Sequence, residues 1–399
     1  MNRVVALMCC LLAFIAPAIA KLTSGFDYRV GILDADLVCI VSQQAPDVFK
    51  VDEVFLATGP AVETIRLPGF QLATEQKYGP DIVEPITPNT RILMYLRRKK
   101  DAPSSWEVLD YGLSFSWVQN PEQTQQLRSF AEKGVDLRRR FEAASDIRDP
   151  LRRTTALWPF LDMTACGPEV ARRAEEFLKS AAPVSGDYFA EHFDKLPYDQ
   201  RMDLLRDAGE YGGDRLHETV KEFISEQEKI FDDYASANKL GDELNQKQWY
   251  SLPPHVSDST GYVYYGAAGL AKYHNREDLP VFREIGMWGV KYGMDQPSEA
   301  ALDAFRDMPD EENLPVIAAI RERFKRGTYG VITDQPDGLL KFETLQALET
   351  HIYVKSIPQL VPFLEDDRFS EEAENTLTKI VGRDLGQKSG PWLAWYEAH

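Results

Sequence analysis

Leu279-Pro280-Val281-Phe282, Leu314-Pro315-Val316-Ile317 and Ile357-Pro358-Gln359-Leu360 are three versions of one signature. Their prolines lie 35 and then 43 residues apart. Upstream of each, a small residue sits in an apolar helical pattern: Ala268, Ala304 and Ala347. Proline fits the first turn of a helix, because the amides there have no intrahelical acceptor. The signature therefore marks the start of the second helix in a helix pair. A recurrence in this range predicts stacked pairs, an α-solenoid. The extra residues of the second interval fall in the Gly/Asp/Pro-rich stretch 327–338.

Each second helix carries a stripe at helical spacing. Ile357, Leu360, Val361 and Leu364 form one, Leu314, Ile317 and Ala318 another, and Leu279, Phe282 and Ile285 a third. Gly286 and Gly289 allow close helix approach. At the end of the chain Ala373, Leu377 and Ile380 precede Gly382 and Gly386, and Trp392 and Trp395 follow. Taken together, these features resemble HEAT-like repeats of exported bacterial proteins. The resemblance covers residues 259–399 well and 149–258 as degenerate units. It implies an interaction surface and carries no chemistry of its own.

The region before the helices reads as β. Apolar or alternating runs at 36–42, 49–58, 62–67, 91–97, 106–109 and 113–118 are separated by Pro, Gly and Asp clusters. Phe49, Val51, Val54 and Leu56 are the expected core residues of the second run. Short strands at this spacing predict a small barrel or sandwich over residues 21–120. The runs Ala35-Asp36-Leu37-Val38-Cys39-Ile40-Val41, Val54-Phe55-Leu56 and Thr90-Arg91-Ile92-Leu93-Met94-Tyr95-Leu96 resemble netrin-like, OB-type barrels. That family's inhibitors use an N-terminal Cys on a target metal. The expected mature terminus here is Lys21, so that activity does not carry over. The fold class expected is α+β multidomain, with a linking helix over 121–148 between barrel and solenoid. The stretch 238–259 reads as a connecting loop that packs Trp249 and Tyr250 onto the helices.

Arg3, the apolar run 4–15 and Ala18-Ile19-Ala20 form the pattern of a signal peptide over residues 1–20. The expectation is an exported protein, periplasmic or secreted. The apolar run is too short to span a bilayer, and no later stretch is long enough. The formal charge of −18 argues against nucleic acid or an anionic membrane as partner and permits a basic one. Of four cysteines, Cys9 and Cys10 fall in the leader. Cys39 and Cys166 are left, open either to a disulfide between two domains or to burial as two thiols.

No catalytic constellation is present: no His-Glu-x-x-His, Gly-x-Ser-x-Gly, phosphate-binding glycine loop or Cys-x-x-Cys. The six histidines are scattered, so neither a metal nor a cofactor is implied. The basic run Arg97-Arg98-Lys99-Lys100 reads as a solvated hairpin tip or as a contact for an acidic partner. One aromatic group stands out, with Tyr262, Tyr265, Trp288 and Tyr292 as candidate ligand-binding residues beside Tyr264 and Tyr273. Such rings suit either a binding patch or a core. The function expected is non-catalytic binding of a protein or peptide along the concave face, with the acidic charge permitting a basic one. The alternatives are an enzyme or enzyme subunit of lyase or glycan-processing type, and an envelope spacer.

Overall fold

The computed structural model describes residues 27–70, 72–74, 82–84, 86–109, 115–118, 121–240, 246–324 and 338–399. The expected leader and most of the 327–338 stretch lie outside the described residues. The chain divides into two compact units, Met1–Phe177 and Leu178–His399.

The first unit is built on an antiparallel sheet. Its strands are β1 (Leu37–Ala45), β2 (Val48–Ala57), β3 (Thr64–Arg66), β4 (Leu72–Thr74), β5 (Ile82–Glu84), β6 (Arg91–Lys99), β7 (Ala102–Val108) and β8 (Phe115–Val118). The order is β3-β2-β1-β6-β7, with β8 also on β6, while β4 and β5 pair separately. The expected closed barrel is not formed. β6 takes β7 along Leu96–Lys99 and β8 along Arg91–Met94, and no ladder joins either of them to β3 among the described residues. The sheet therefore stays open.

β1 is buried on both faces from Leu37 to Val41. Leu37, Cys39 and Val41 join Phe49, Ile92, Met94, Trp106 and Trp117 in one cluster. Val38 and Ile40, paired with Tyr95 and Leu93, point to the other face. α1 (Thr124–Ser145) covers that face, burying Leu127, Ala131, Val135 and Phe141. The segment expected to link two domains is thus the second layer of the first. Gly134 permits the contact: a Cβ there would meet the carbonyl of Tyr28 at 2.9 Å, as well as the hydroxyl of Tyr95. β2 alternates from Phe49 to Phe55: Phe49, Val51, Glu53 and Phe55 are buried or half-buried, and Lys50, Asp52 and Val54 are exposed, so Val54, five residues from Phe49, falls on the outer face. Phe49 is fully buried as expected, whereas Val54, counted as core, is 47% exposed.

Cys39 and Cys166 are both free and buried, so the expected alternative of a disulfide is not formed. The Cys39 thiol lies in the sheet cluster, where burial pushes it up to about 12. The Cys166 thiol donates to the carbonyl of Pro159 at 3.7 Å. The basic run ends a hairpin, the first of its two expected readings. Arg97 pairs with Glu107 at 2.9 Å and Arg98 lies over the Trp106 ring, leaving Lys99 and Lys100 exposed.

The rest of the chain is helical. α2 (Pro150–Leu157), α3 (Met163–Cys166) and α4 (Pro168–Lys179) lead to α5 (Val184–His192), α6 (Tyr198–Arg206), α7 (Ala208–Tyr211) and α8 (Asp214–Ala237). Then come α9 (Gln246–Tyr250), α10 (Pro254–Ala271), α11 (Leu279–Tyr292), α12 (Asp295–Asp307), α13 (Leu314–Phe324) and α14 (Gly338–Thr350). α15 (Ile357–Leu360), α16 (Ser370–Val381) and α17 (Ser389–Ala398) close the chain. The stretch expected to be a loop up to residue 259 is helical from Pro254, since proline is accepted in a first turn.

From α10 onward the helices alternate between two layers. α10, α12, α14 and α16 neighbour one another, and α11 and α13 do so on the other side. Gly286 of α11 lets this happen, since a Cβ there would come within 2.8 Å of Val316. The result is a repeat-like helical region. Each second helix opens with a 3-10 turn, at Arg276–Asp278, Glu311–Asn313 and Val354–Ser356. The residue before each Leu/Ile-Pro pair is polar and fully buried: Asp278, Asn313 and Ser356. Its amide closes the turn on the carbonyl three residues back, that of Asn275, Asp310 or Tyr353.

Candidate functional site

The four aromatic residues singled out in the sequence occupy three different environments. Tyr262 on α10 lies in the core, with ring centroids 5.0 Å from Phe223 and 5.2 Å from Tyr198. Tyr265 is half-buried and meets only its neighbour Tyr264 edge-on among the described ring pairs, at 5.0 Å. Trp288 and Tyr292 on α11 are brought together around Phe231 of α8, at 5.4 and 4.9 Å. Both are buried. Trp249 joins this group at 6.2 Å from Phe231, while Tyr250 is 74% exposed. Packing therefore accounts for three of the four residues, and they do not line a common groove.

The polar ends of the second cluster converge on Asp232. Its Oδ1 accepts from the Trp288 indole N–H at 3.1 Å and from the Tyr292 hydroxyl at 2.6 Å. Lys291 lies 3.4 Å from both oxygens. Hydrogen bonds to a charged acceptor contribute about 1.5–3 kcal/mol each. The arrangement ties α11 to α8 and leaves Asp232 well supplied with donors.

A different group has the character of a site. Asp295, Glu299, Asp303 and Asp307 recur at intervals of four along α12, which puts them on one stripe of the helix. Like charges at this spacing repel. α14 adds Glu343, and α10 adds Tyr264, close enough for Glu299 and Asp303 to act on its hydroxyl. Among the described residues one cation offsets them: Arg306 reaches Asp303 at 2.8 Å, Glu343 at 3.4 Å and the Gln346 side-chain oxygen at 3.1 Å. Glu299 makes no ion pair among the described residues.

The electrostatics follow from that crowding. Burial, then Asp303, Glu343 and Asp295, push Glu299 up to about 7. Asp303 and Glu343 are raised by burial and by neighbouring carboxylates, with Arg306 opposing. Burial, then Glu299 and Asp303, push Tyr264 up to about 12. The sequence held a signal for this group, the four acids at intervals of four. The partners on α10 and α14 came from helix stacking.

Two other concavities carry charges that are already paired. In the groove beside Pro315 and Pro358, Lys355 pairs with Glu311 and Arg283 with Glu312, each at 2.8 Å. In the one beside Pro362, Arg368 and then Lys341 hold Asp366 well below the usual carboxylate range. Among the described residues no group of His, Cys, Asp and Glu has the geometry to hold a metal ion. No described helix is long and apolar enough to cross a membrane. Comparison with protein-family models, with curated proteins and with solved structures finds no match to this chain.

Proposed function

We propose that residues 259–399 form a HEAT-like α-solenoid and that the chain is an exported, non-catalytic scaffold for a basic protein or peptide. The observation that supports this reading is the carboxylate stripe of α12 with Glu343 and Tyr264 beside it. Five acids and one arginine leave a net negative surface, and the acids repel one another. A lysine or arginine side chain laid across the stripe relieves that repulsion, and the Tyr264 ring offers it a π-face. Helix layers hold the carboxylates in place, so binding requires little ordering.

The test is a titration of the full chain with a fluorescein-labelled lysine-rich peptide, read by anisotropy at low and at physiological salt. The expected result is saturable binding that weakens steeply with salt. In a folded Glu299→Gln/Asp303→Asn variant it should weaken by about tenfold or more, the equivalent of the ~1.5 kcal/mol at the lower end for close charge pairs at an interface. Absence of binding at low salt, or a variant equal to wild type, overturns the reading.

One feature favours a second reading. Burial and the neighbouring carboxylates of Asp303, Glu343 and Asp295 raise Glu299 to about 7, and a carboxyl perturbed by burial and by specific charged neighbours is a mark of acid–base sites. Turnover of a panel of chromogenic glycosides that is lost in Glu299→Gln supports an enzyme. No turnover with intact peptide binding removes it.

A further inference from the structure

Asp232 and Glu228 lie one turn apart on α8 and divide the available donors unequally. Asp232 takes the Trp288 indole, the Tyr292 hydroxyl and the Lys291 ammonium. The Oε1 atom of Glu228 is buried and has no hydrogen-bond partner. The charges that bear on Glu228 are both negative: Glu284 from α11 and Asp232 from its own helix. α5, α7 and α10 also pack along α8, and no charge from them bears on Glu228 among the described residues. An ionised carboxylate without a donor, facing two further negative charges, is strongly disfavoured in a buried position.

We propose that Glu228 is a proton-operated latch on the contact between α8 and α11. With its proton, the carboxyl is neutral and can remain beside Asp232 and Glu284 while Phe231, Trp288 and Tyr292 pack between the two helices. Without it, the carboxylate is repelled by Asp232 and by Glu284 of α11, and its buried Oε1 gains a partner in water when α11 moves away from α8. Burial, then Glu284 and Asp232, push this group up to about 8 from the ordinary 4.5. A raised folded-state value fixes the sign of the effect. The stabilisation is complete below 4.5 and is lost as the pH rises through about 8. The second helix of the first pair is thus held more firmly in mild acid than in mild alkali.

Hydrogen exchange of the full chain between pH 6 and pH 9 tests the latch, after correction for intrinsic base catalysis. In wild type, protection across Asp214–Ala237 and Leu279–Tyr292 should fall by about tenfold or more, because a proton held tenfold more tightly in the closed state than in the open one shifts the opening equilibrium tenfold when it leaves. Glu228→Gln, which keeps the shape and cannot ionise, should hold its protection across the range. Glu228→Met serves as a second non-titrating variant and should behave the same. A folded variant of either kind that retains the wild-type pH dependence overturns the proposal, as does a wild type whose protection does not change.

Discussion

The first and third helix pairs of the repeat-like region begin alike and are held differently. Both second helices follow a 3-10 turn whose last residue is polar and fully buried, and both carry proline in the first turn. In the first pair that residue is Asp278. It accepts from His217 Nε2 at 2.7 Å and faces Lys221 at 3.6 Å, so two residues of α8 hold the start of α11. In the third it is Ser356, whose hydroxyl donates to the carbonyl of His351 at 2.6 Å, five residues away in the same segment. The second pair is intermediate. Asn313 accepts from Arg283 Nε at 2.9 Å and donates to the carbonyl of Met308 at 3.3 Å. The same backbone turn can therefore be completed by a charge, an amide or a hydroxyl. What differs is how much of the neighbouring helix each one recruits.

The helices that follow differ as well. α11 runs fourteen residues, α13 eleven and α15 four. α15 gives way to a 3-10 segment with Pro362 in its first turn, where the ring forbids a continuing α-helical amide. The apolar stripe survives the change, with Ile357, Leu360, Val361 and Leu364 all buried. Burial is decided by side-chain spacing and tolerates a change of helix type. The helical hydrogen-bond pattern does not.

Removing each buried polar residue breaks the comparison in a ranked way. Asp278→Ala leaves His217 and Lys221 beside a buried vacancy and should cost about 3–5 kcal/mol in a urea titration. Asn313→Ala removes the acceptor of Arg283 Nε and the donor to the buried Met308 carbonyl, while Arg283 keeps Glu312 and Asp310, so a loss of roughly 1–3 kcal/mol is expected by the same measurement. Ser356→Ala removes one local hydrogen bond and should cost about 0.5–1.5 kcal/mol. Equal losses at the three positions would mean that the shared turn, and not the partner on a neighbouring helix, sets the stability. The peptide titration and the hydrogen-exchange comparison extend the same contrast to the α12 stripe and to Glu228.

His351 sharpens the middle case. Its Nδ1 bonds to the Ala347 carbonyl at 2.7 Å, which makes that nitrogen the donor. Nε2 then accepts from the amide of Asp310 at 3.3 Å. Burial lowers its affinity for a proton, in keeping with a neutral ring placed to accept. A histidine that reads in the sequence as scattered and featureless thus closes the turn of the second pair from below. Nothing local to residue 351 indicates this, because its partner at 310 is supplied by the stacking of α14 on α12.

The periodic features were legible without coordinates. The three Pro-led helices, the small residues Ala304 and Ala347 that became buried, and the strand runs at 37–45 and 91–99 all follow from local spacing. A proline's missing amide and the period of a helix or strand are properties of a short segment. Tertiary structure decided the rest, because each remaining question concerned which segments meet. β6 takes two partners on one edge, so the sheet is open. Cys39 and Cys166 are buried as separate thiols. Tyr262 and Trp288 serve different clusters although both read as one aromatic group. The four acids of α12 were visible in the sequence as a repeating interval. Their company of Glu343 and Tyr264, which raises Glu299 to about 7, exists only because three non-consecutive helices pack into one layer.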